Sequence, residues 1–99
     1  MPLDKTKIKL LKKIGHELRP TVTVGNKGLT DSVVAEINRA LNDHELIKLK
    51  LVVEEKDETL QALSNACNLD IIQTIGNIAL LYRATANPNP KLSNILRHS

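Results

Sequence analysis

The stretch 46–53 constrains the fold most. It alternates Ile47, Leu49, Leu51 and Val53 with Lys48, Lys50 and Val52, the period of two that buries one face of a β-strand. Lys48 and Lys50 share the other face. On either side the apolar residues recur at helical spacing, as Val33, Val34, Ile37, Ala40 and Leu41 before the strand and as Leu60, Leu63, Ala66 and Cys67 after it. A strand between two amphipathic helices becomes a pair of βαβ units if further strands flank those helices. Thr21-Val22-Thr23-Val24 is β-prone and is broken by Gly25-Asn26-Lys27-Gly28, and Asp70–Ile75, Gly76-Asn77 and 78–83 read as strand, tight turn and strand.

Ahead of all this, Asp4 is an N-cap for a helix running to about residue 18 and stopped before Pro20, which cannot continue the hydrogen-bond ladder. Leu10, Leu11, Ile14 and Leu18 fall within about 100° of arc, and Lys5, Lys9, Lys12, His16 and Arg19 lie opposite within about 80°. Gly15 in the interior costs about 1 kcal/mol relative to Ala, so this helix depends on packing. Thr30 caps the second helix, whose far side carries Ala35, Arg39 and Asn42. The third follows an acidic turn at 54–58 that suits the positive end of its dipole, and Asn68 ends it. The expected architecture is an α/β two-layer sandwich with a mixed four-stranded sheet, in the order α-β-α-β-α-β-β with right-handed crossovers. Periodicity is lost from residue 84 onward. Residues 1–84 therefore read as the domain and 85–99 as a flexible tail, in which Asn87-Pro88-Asn89-Pro90 precedes Leu92, Ile95 and Leu96 at the spacing of a short amphipathic turn.

Ninety-nine residues suffice for one core. With no Phe or Trp and with Tyr82 as the sole aromatic residue, that core is aliphatic, and stacking of bases on exposed rings is excluded as a main mode of binding. Period two puts Tyr82 on the same strand face as Ile78 and Leu80, which makes it a framework residue. The single cysteine, Cys67, cannot close an intramolecular disulfide and reads as a small core hydrophobe in a reducing compartment. No apolar run approaches the roughly 20 residues of a membrane span, and the start MPLDKTKIKLLKK lacks the apolar region of a signal peptide. The expectation is a cytoplasmic protein with no membrane partner.

Enzymatic chemistry finds little support. Ser32, Ser64, Ser93 and Ser99 stand in no nucleophile elbow, and His16, His44 and His98 belong to separate elements without metal-ligand spacing. No long glycine-rich phosphate loop ends in Lys-Ser/Thr. The expectation is therefore no catalytic residue, no metal, no cofactor and no small-molecule substrate. His44, at the end of the second helix, is placed to bind the last carbonyls. His16 either contacts phosphate or packs against the chain leading into Thr21.

Charge is unevenly distributed. Residues 1–20 are net +4, residues 51–75 net −4 through Glu54, Glu55, Asp57, Glu58 and Asp70, and residues 76–99 net +3 through Arg83, Lys91 and Arg97, within a total of +3. That asymmetry fits either a polyanionic partner or a solvated surface. The loop Gly25-Asn26-Lys27-Gly28 is more pointed, because two glycines allow close approach by a ligand, Asn and Lys supply donors, and a helix N-terminus follows. Alone, such a loop also fits an ordinary strand-to-helix connection.

The strings Leu18-Arg19-Pro20, Val24-Gly25-Asn26-Lys27-Gly28-Leu29-Thr30, residues 37–41, His44-Glu45-Leu46-Ile47-Lys48, and Ile75-Gly76-Asn77 leading into Leu81-Tyr82-Arg83 occur in an order and spacing that resemble the CRM domain. This is the chloroplast RNA splicing and ribosome maturation family, here in its small, stand-alone bacterial YhbY-like form. The resemblance covers about residues 3–84 and departs at Gly15, where an alanine is usual, and from Ala86 onward. It implies an RNA-binding α/β domain similar in shape to the C-terminal domain of bacterial translation initiation factor three. Further implications are association of a monomer with structured ribosomal RNA or a large-subunit precursor, and assistance to ribosome assembly without catalysis. It matches the family's glycine loop to Gly25, Asn26, Lys27 and Gly28, and its basic first helix to the region of Lys5, Lys9, Lys12 and Lys13. His16, Arg19, Lys48 and Lys50 complete the expected RNA-binding set. The competing expectation is an adaptor that binds protein without touching RNA.

Overall fold

The computed structural model describes residues 4–88 and 91–95; Leu3, Asn89, Pro90, Leu96, Arg97, His98 and Ser99, all touched on above, lie outside the described residues. Seven elements follow in chain order: α1 (Lys5–His16), β1 (Pro20–Val24), α2 (Asp31–His44), β2 (Leu46–Leu51), α3 (Lys56–Cys67), β3 (Asp70–Ile75) and β4 (Ile78–Tyr82). They form the expected α/β fold with its order of elements. The four strands make one mixed sheet in the spatial order β1-β2-β4-β3, with β1 and β2 parallel and β4 antiparallel to both of its neighbours.

Local chemistry accounts for the boundaries. The Asp4 side chain accepts from Lys7 N–H at 2.7 Å to open α1, and the Thr30 hydroxyl accepts from Val33 N–H at 3.2 Å to open α2. Glu55, ahead of α3, makes no side-chain cap, but Asp57 and Glu58 stand in the first turn, where the helix dipole favours negative charge. Asn68 closes α3 in the left-handed conformation at φ 51°. The β3–β4 turn has a positive φ at Gly76 but not at Asn77, the pattern of a type II′ turn rather than type I′. β2 stops at Leu51 instead of Val53 because its parallel partner ends at Val24, which accepts one last bond from Val52 N–H.

The alternation in the strands divides the core in two. Ile47, Leu49 and Leu51 of β2, with Val22, Val24, Ala79 and Leu81, pack against Ile37, Ala40 and Leu41 of α2 and Leu60, Leu63 and Cys67 of α3. Leu46, Leu80 and Tyr82 face the other way, against Leu11 and Ile14 of α1. The α2–α3 pair covers one face of the sheet and α1 the other, so the expected two-layer sandwich is corrected to a sheet with helices on both faces, because Leu46, Leu80 and Tyr82 give its second face an apolar surface that α1 buries. Two expected core positions differ. Leu10 is 45% exposed because α1 meets the sheet along the narrow line of Leu11, Ile14 and Gly15, leaving Leu10 on the flank; Ala66 is exposed on the outer side of α3.

Gly15 explains that narrow line. A Cβ there would lie 2.6 Å from both terminal methyls of Leu80, so the absent side chain lets α1 approach β4 closely. The helical cost of this glycine is exchanged for contact with the sheet.

The segment expected as a flexible tail returns to the domain over 91–95. Ser93 is fully buried, and its hydroxyl donates to Glu45 Oε1 at 2.6 Å. The Asn94 side-chain amide donates to Leu46 O at 2.6 Å, and His44 Nδ1 donates to Leu92 O at 2.8 Å. Ile95 packs against the α1-side core. For these residues the tail expectation is corrected, because polar side chains of the α2–β2 junction supply partners that apolar periodicity does not register.

Candidate nucleic-acid interface

Lys5, Lys9, Lys12, Lys13 and His16 are all exposed on α1. Lys12 and His16 meet Lys48 of β2 around one cleft of about 200 Å³ between the helix and the sheet. Lys50, exposed two residues further along β2, points to the same side, since Leu46, Lys48 and Lys50 share one face of the strand. Lys13 lies on the opposite flank of α1, beside Leu10 and Glu17. Arg19 is exposed but not part of the helical stripe, because α1 ends at His16 with Glu17 as its C-cap. The structure therefore brings Lys12, His16 and Lys48 together and leaves Lys5, Lys9, Lys13 and Arg19 outside that cleft.

Two cations are engaged elsewhere. Lys7 Nζ lies 5.6 Å from the centroid of the Tyr82 ring, a cation–π contact that helps seat the start of α1. The Arg83 guanidinium donates to Asn38 Oδ1 at 2.7 Å, Asn38 O at 3.0 Å, Asn42 Oδ1 at 3.0 Å and Cys67 O at 2.6 Å. Arg83 thus ties α2 to the C-terminal end of α3. It serves the framework rather than the cationic surface, a role that charge counting misses.

The glycine loop has a defined geometry. Gly28 N–H donates to Gly25 O at 2.9 Å, and Gly28 has φ +71° whereas Gly25 stays out of the left-handed region. Only the second glycine meets a backbone demand. Asn26, Lys27 and Gly28 border a recess of about 370 Å³ whose other wall includes Glu54, Glu55 and Thr59. A phosphate reaching Lys27 there also meets two carboxylates, which oppose it. The loop and the cleft under α1 form separate recesses, so the expected set divides into a cationic part and a part of mixed charge.

Burial acts on two titratable groups. Desolvation pushes the Cys67 thiol above its ordinary value, partly offset by the Arg83 charge, so the thiol stays protonated and unreactive in the core. Desolvation raises the Tyr82 hydroxyl first, with the Glu45 and Asp70 charges adding to it. Among the described residues no group of three or more His, Cys, Asp or Glu side chains is placed to hold a metal ion, and no helix is long and apolar enough to cross a membrane.

The residues that sequence reasoning missed are on β3. Periodicity from Asp70 puts Gln73 and Ile75 on the face away from α1, but the register shifts between Ile71 and Gln73, so that Gln73 pairs with Leu80 and Ile75 with Ile78. The bulge turns both toward α1, and both line the cleft with Lys12 and Lys48.

The sequence profile of the CRS1 / YhbY (CRM) domain matches residues 3–83. A Pseudomonas aeruginosa protein named "Probable RNA-binding protein" is 47% identical over 100 residues, covering 98% of this chain and 96% of its own. An RNA-binding protein of Haemophilus influenzae is 47% identical over 77 residues, covering 74% and 77% respectively. The solution structure of a hypothetical protein from Staphylococcus aureus superimposes with a TM-score of 0.74 at 25% identity, over 87% of this chain and 93% of the other.

Proposed function

This chain belongs to the CRS1 / YhbY (CRM) domain family, and on that premise we propose that it is a non-enzymatic, cytoplasmic RNA-binding protein that associates as a monomer with precursors of the large ribosomal subunit. It assists assembly by holding structured RNA through the phosphate backbone and through RNA shape, with no cofactor. The observation that carries this reading is the cleft where Lys12, His16 and Lys48 converge, with no carboxylate lining it among the described residues, and with Lys50 beside it. Lysines so placed neutralise phosphates and position an RNA without reading its sequence. The bacterial relatives named as RNA-binding proteins support the same partner class.

Sedimentation of cell extract before and after ribonuclease treatment tests the proposal. The protein is expected to travel with large-subunit precursors and to leave those fractions once RNA is digested. Persistence in a protein complex after digestion would favour the adaptor reading instead.

A further inference from the structure

The cleft under α1 is more than a cationic rim. Ile75, Ile78 and Leu80 also line it with aliphatic surface, and Gly15 of α1 contributes no side chain there. Gln73 stands among these apolar groups, turned inward by the β3 bulge. Lys12 and Lys48 stand at the same cleft, and among the described residues neither Asp nor Glu lines it.

From this arrangement we infer that the cleft receives one unpaired RNA base, with the adjoining phosphates held by Lys12 and Lys48. The inference rests on the RNA-binding reading and adds a specific subsite to it. Three observations select this occupant. First, about 200 Å³ is below the roughly 300–1,000 Å³ of sites that enclose a drug-sized ligand, which suits a single ring rather than a whole cofactor. Second, Ile75, Ile78 and Leu80 give the cleft an aliphatic lining, and apolar side chains pack against an extruded base as aromatic rings do. Third, an amide offers both donors and an acceptor to a base edge, and among the described residues Gln73 is the only amide side chain lining this cleft. Structured RNA presents such bases at bulges and loops, where they are splayed from the stack. A fully paired stem offers only phosphates and ribose to the same surface. The subsite therefore distinguishes an interrupted helix from a continuous one, a discrimination that the lysines alone do not provide.

The test compares two RNAs with the full chain: a hairpin with a single bulged nucleotide in its stem, and the same hairpin with the stem fully paired. The wild-type protein is expected to bind the bulged hairpin about tenfold more tightly, in line with the contribution of one stacked base. Gln73→Ala and Ile75→Ser are each expected to reduce that preference. Ile75 is 67% exposed, so its replacement leaves the fold intact. Equal binding of both hairpins by the wild type would overturn the subsite and leave the RNA-binding reading standing. Variants that keep the full preference would also overturn it. Failure of the wild type to bind either hairpin would overturn the RNA-binding reading itself.

Discussion

Ser93 donates its hydroxyl proton to Glu45 across 48 residues of sequence, and both side chains are buried. Glu45 Oε2 also accepts from Thr85 N–H at 3.2 Å, and the Glu45 backbone sits at φ 64°, outside the usual range for a residue with a side chain. The α2–β2 junction is thus held by bonds to the segment that follows the sheet. Ser93→Ala, which leaves a buried carboxylate short of one donor, is expected to cost about 1–3 kcal/mol. In a domain of this size each kcal/mol lowers Tm by roughly 4–8 °C. Glu45→Ala should cost more, and the double variant should cost less than the two singles added together. Thermal unfolding of the four proteins checks this, and additive losses would mean that the contact is not formed in solution.

The two glycines of the 25–28 loop should respond differently to substitution. Gly28 has φ +71°, so Gly28→Val forces a β-branched residue into the left-handed region and is expected to destabilise by at least about 1–2 kcal/mol. Gly25 has no such φ, and a methyl group there would meet nothing within 4 Å, so Gly25→Ala should be close to neutral. Urea unfolding of both variants measures the difference.

Lys27 shares its recess with Glu54 and Glu55, and the charges act in opposite directions on an approaching phosphate. Lys27→Ala should weaken binding to different RNAs by a similar factor and reduce the salt slope by about 1. Replacing Glu54 and Glu55 together by Gln should tighten binding. Fluorescence anisotropy at several salt concentrations reads both, and unchanged affinity in all variants would show that RNA does not reach the loop.

Stability should also fall at alkaline pH. Cys67 and Tyr82 are raised in the folded state above their ordinary values of 9.0 and 10.0. Between the ordinary and the raised value the unfolded chain loses the proton while the folded chain keeps it, so each rise in pH favours unfolding. The contribution of these groups is fully present below 9.0, declines from there for Cys67 and from 10.0 for Tyr82, and is lost as the pH passes through each folded value. Tyr82→Phe should remove the tyrosine share of this decline and, because Tyr82 is a packed framework side chain 8% exposed, leave RNA affinity near wild type. Melting curves from pH 7 to 11 with binding assays at pH 7 test both halves.

Elements whose side chains repeat with a single period were legible in the sequence. Ile47, Leu49 and Leu51 announced β2, and Leu60, Leu63 and Cys67 announced α3, because burial of one face imposes a period on the residues that make it. Caps at Asp4 and Thr30 were legible for the same local reason. What escaped depended on tertiary relationships. The docking of Ser93 and Asn94 rests on polar partners about 48 residues away, and the turning of Gln73 and Ile75 into the cleft rests on a bulge that the pattern of β3 does not reveal. Arg83 counts in the sequence only as a positive charge, because Asn38, Asn42 and the Cys67 carbonyl surround it only in three dimensions. The candidate site was legible as a set of cations, while its division into a cationic cleft and a mixed-charge loop was not, because Glu54 and Glu55 meet Lys27 only in three dimensions.

The central claim is that the cations around the cleft hold RNA by its phosphates. Its most direct test is the slope of log binding constant against log salt for a structured large-subunit ribosomal RNA fragment, compared between the wild type and a Lys12→Ala, Lys48→Ala, Lys50→Ala triple variant shown by circular dichroism to be folded. Each lost phosphate contact removes a little under one unit of slope, so the account predicts a drop of roughly 2 to 3 units with a matching loss of affinity at low salt. A folded triple variant with the wild-type slope and affinity would contradict it.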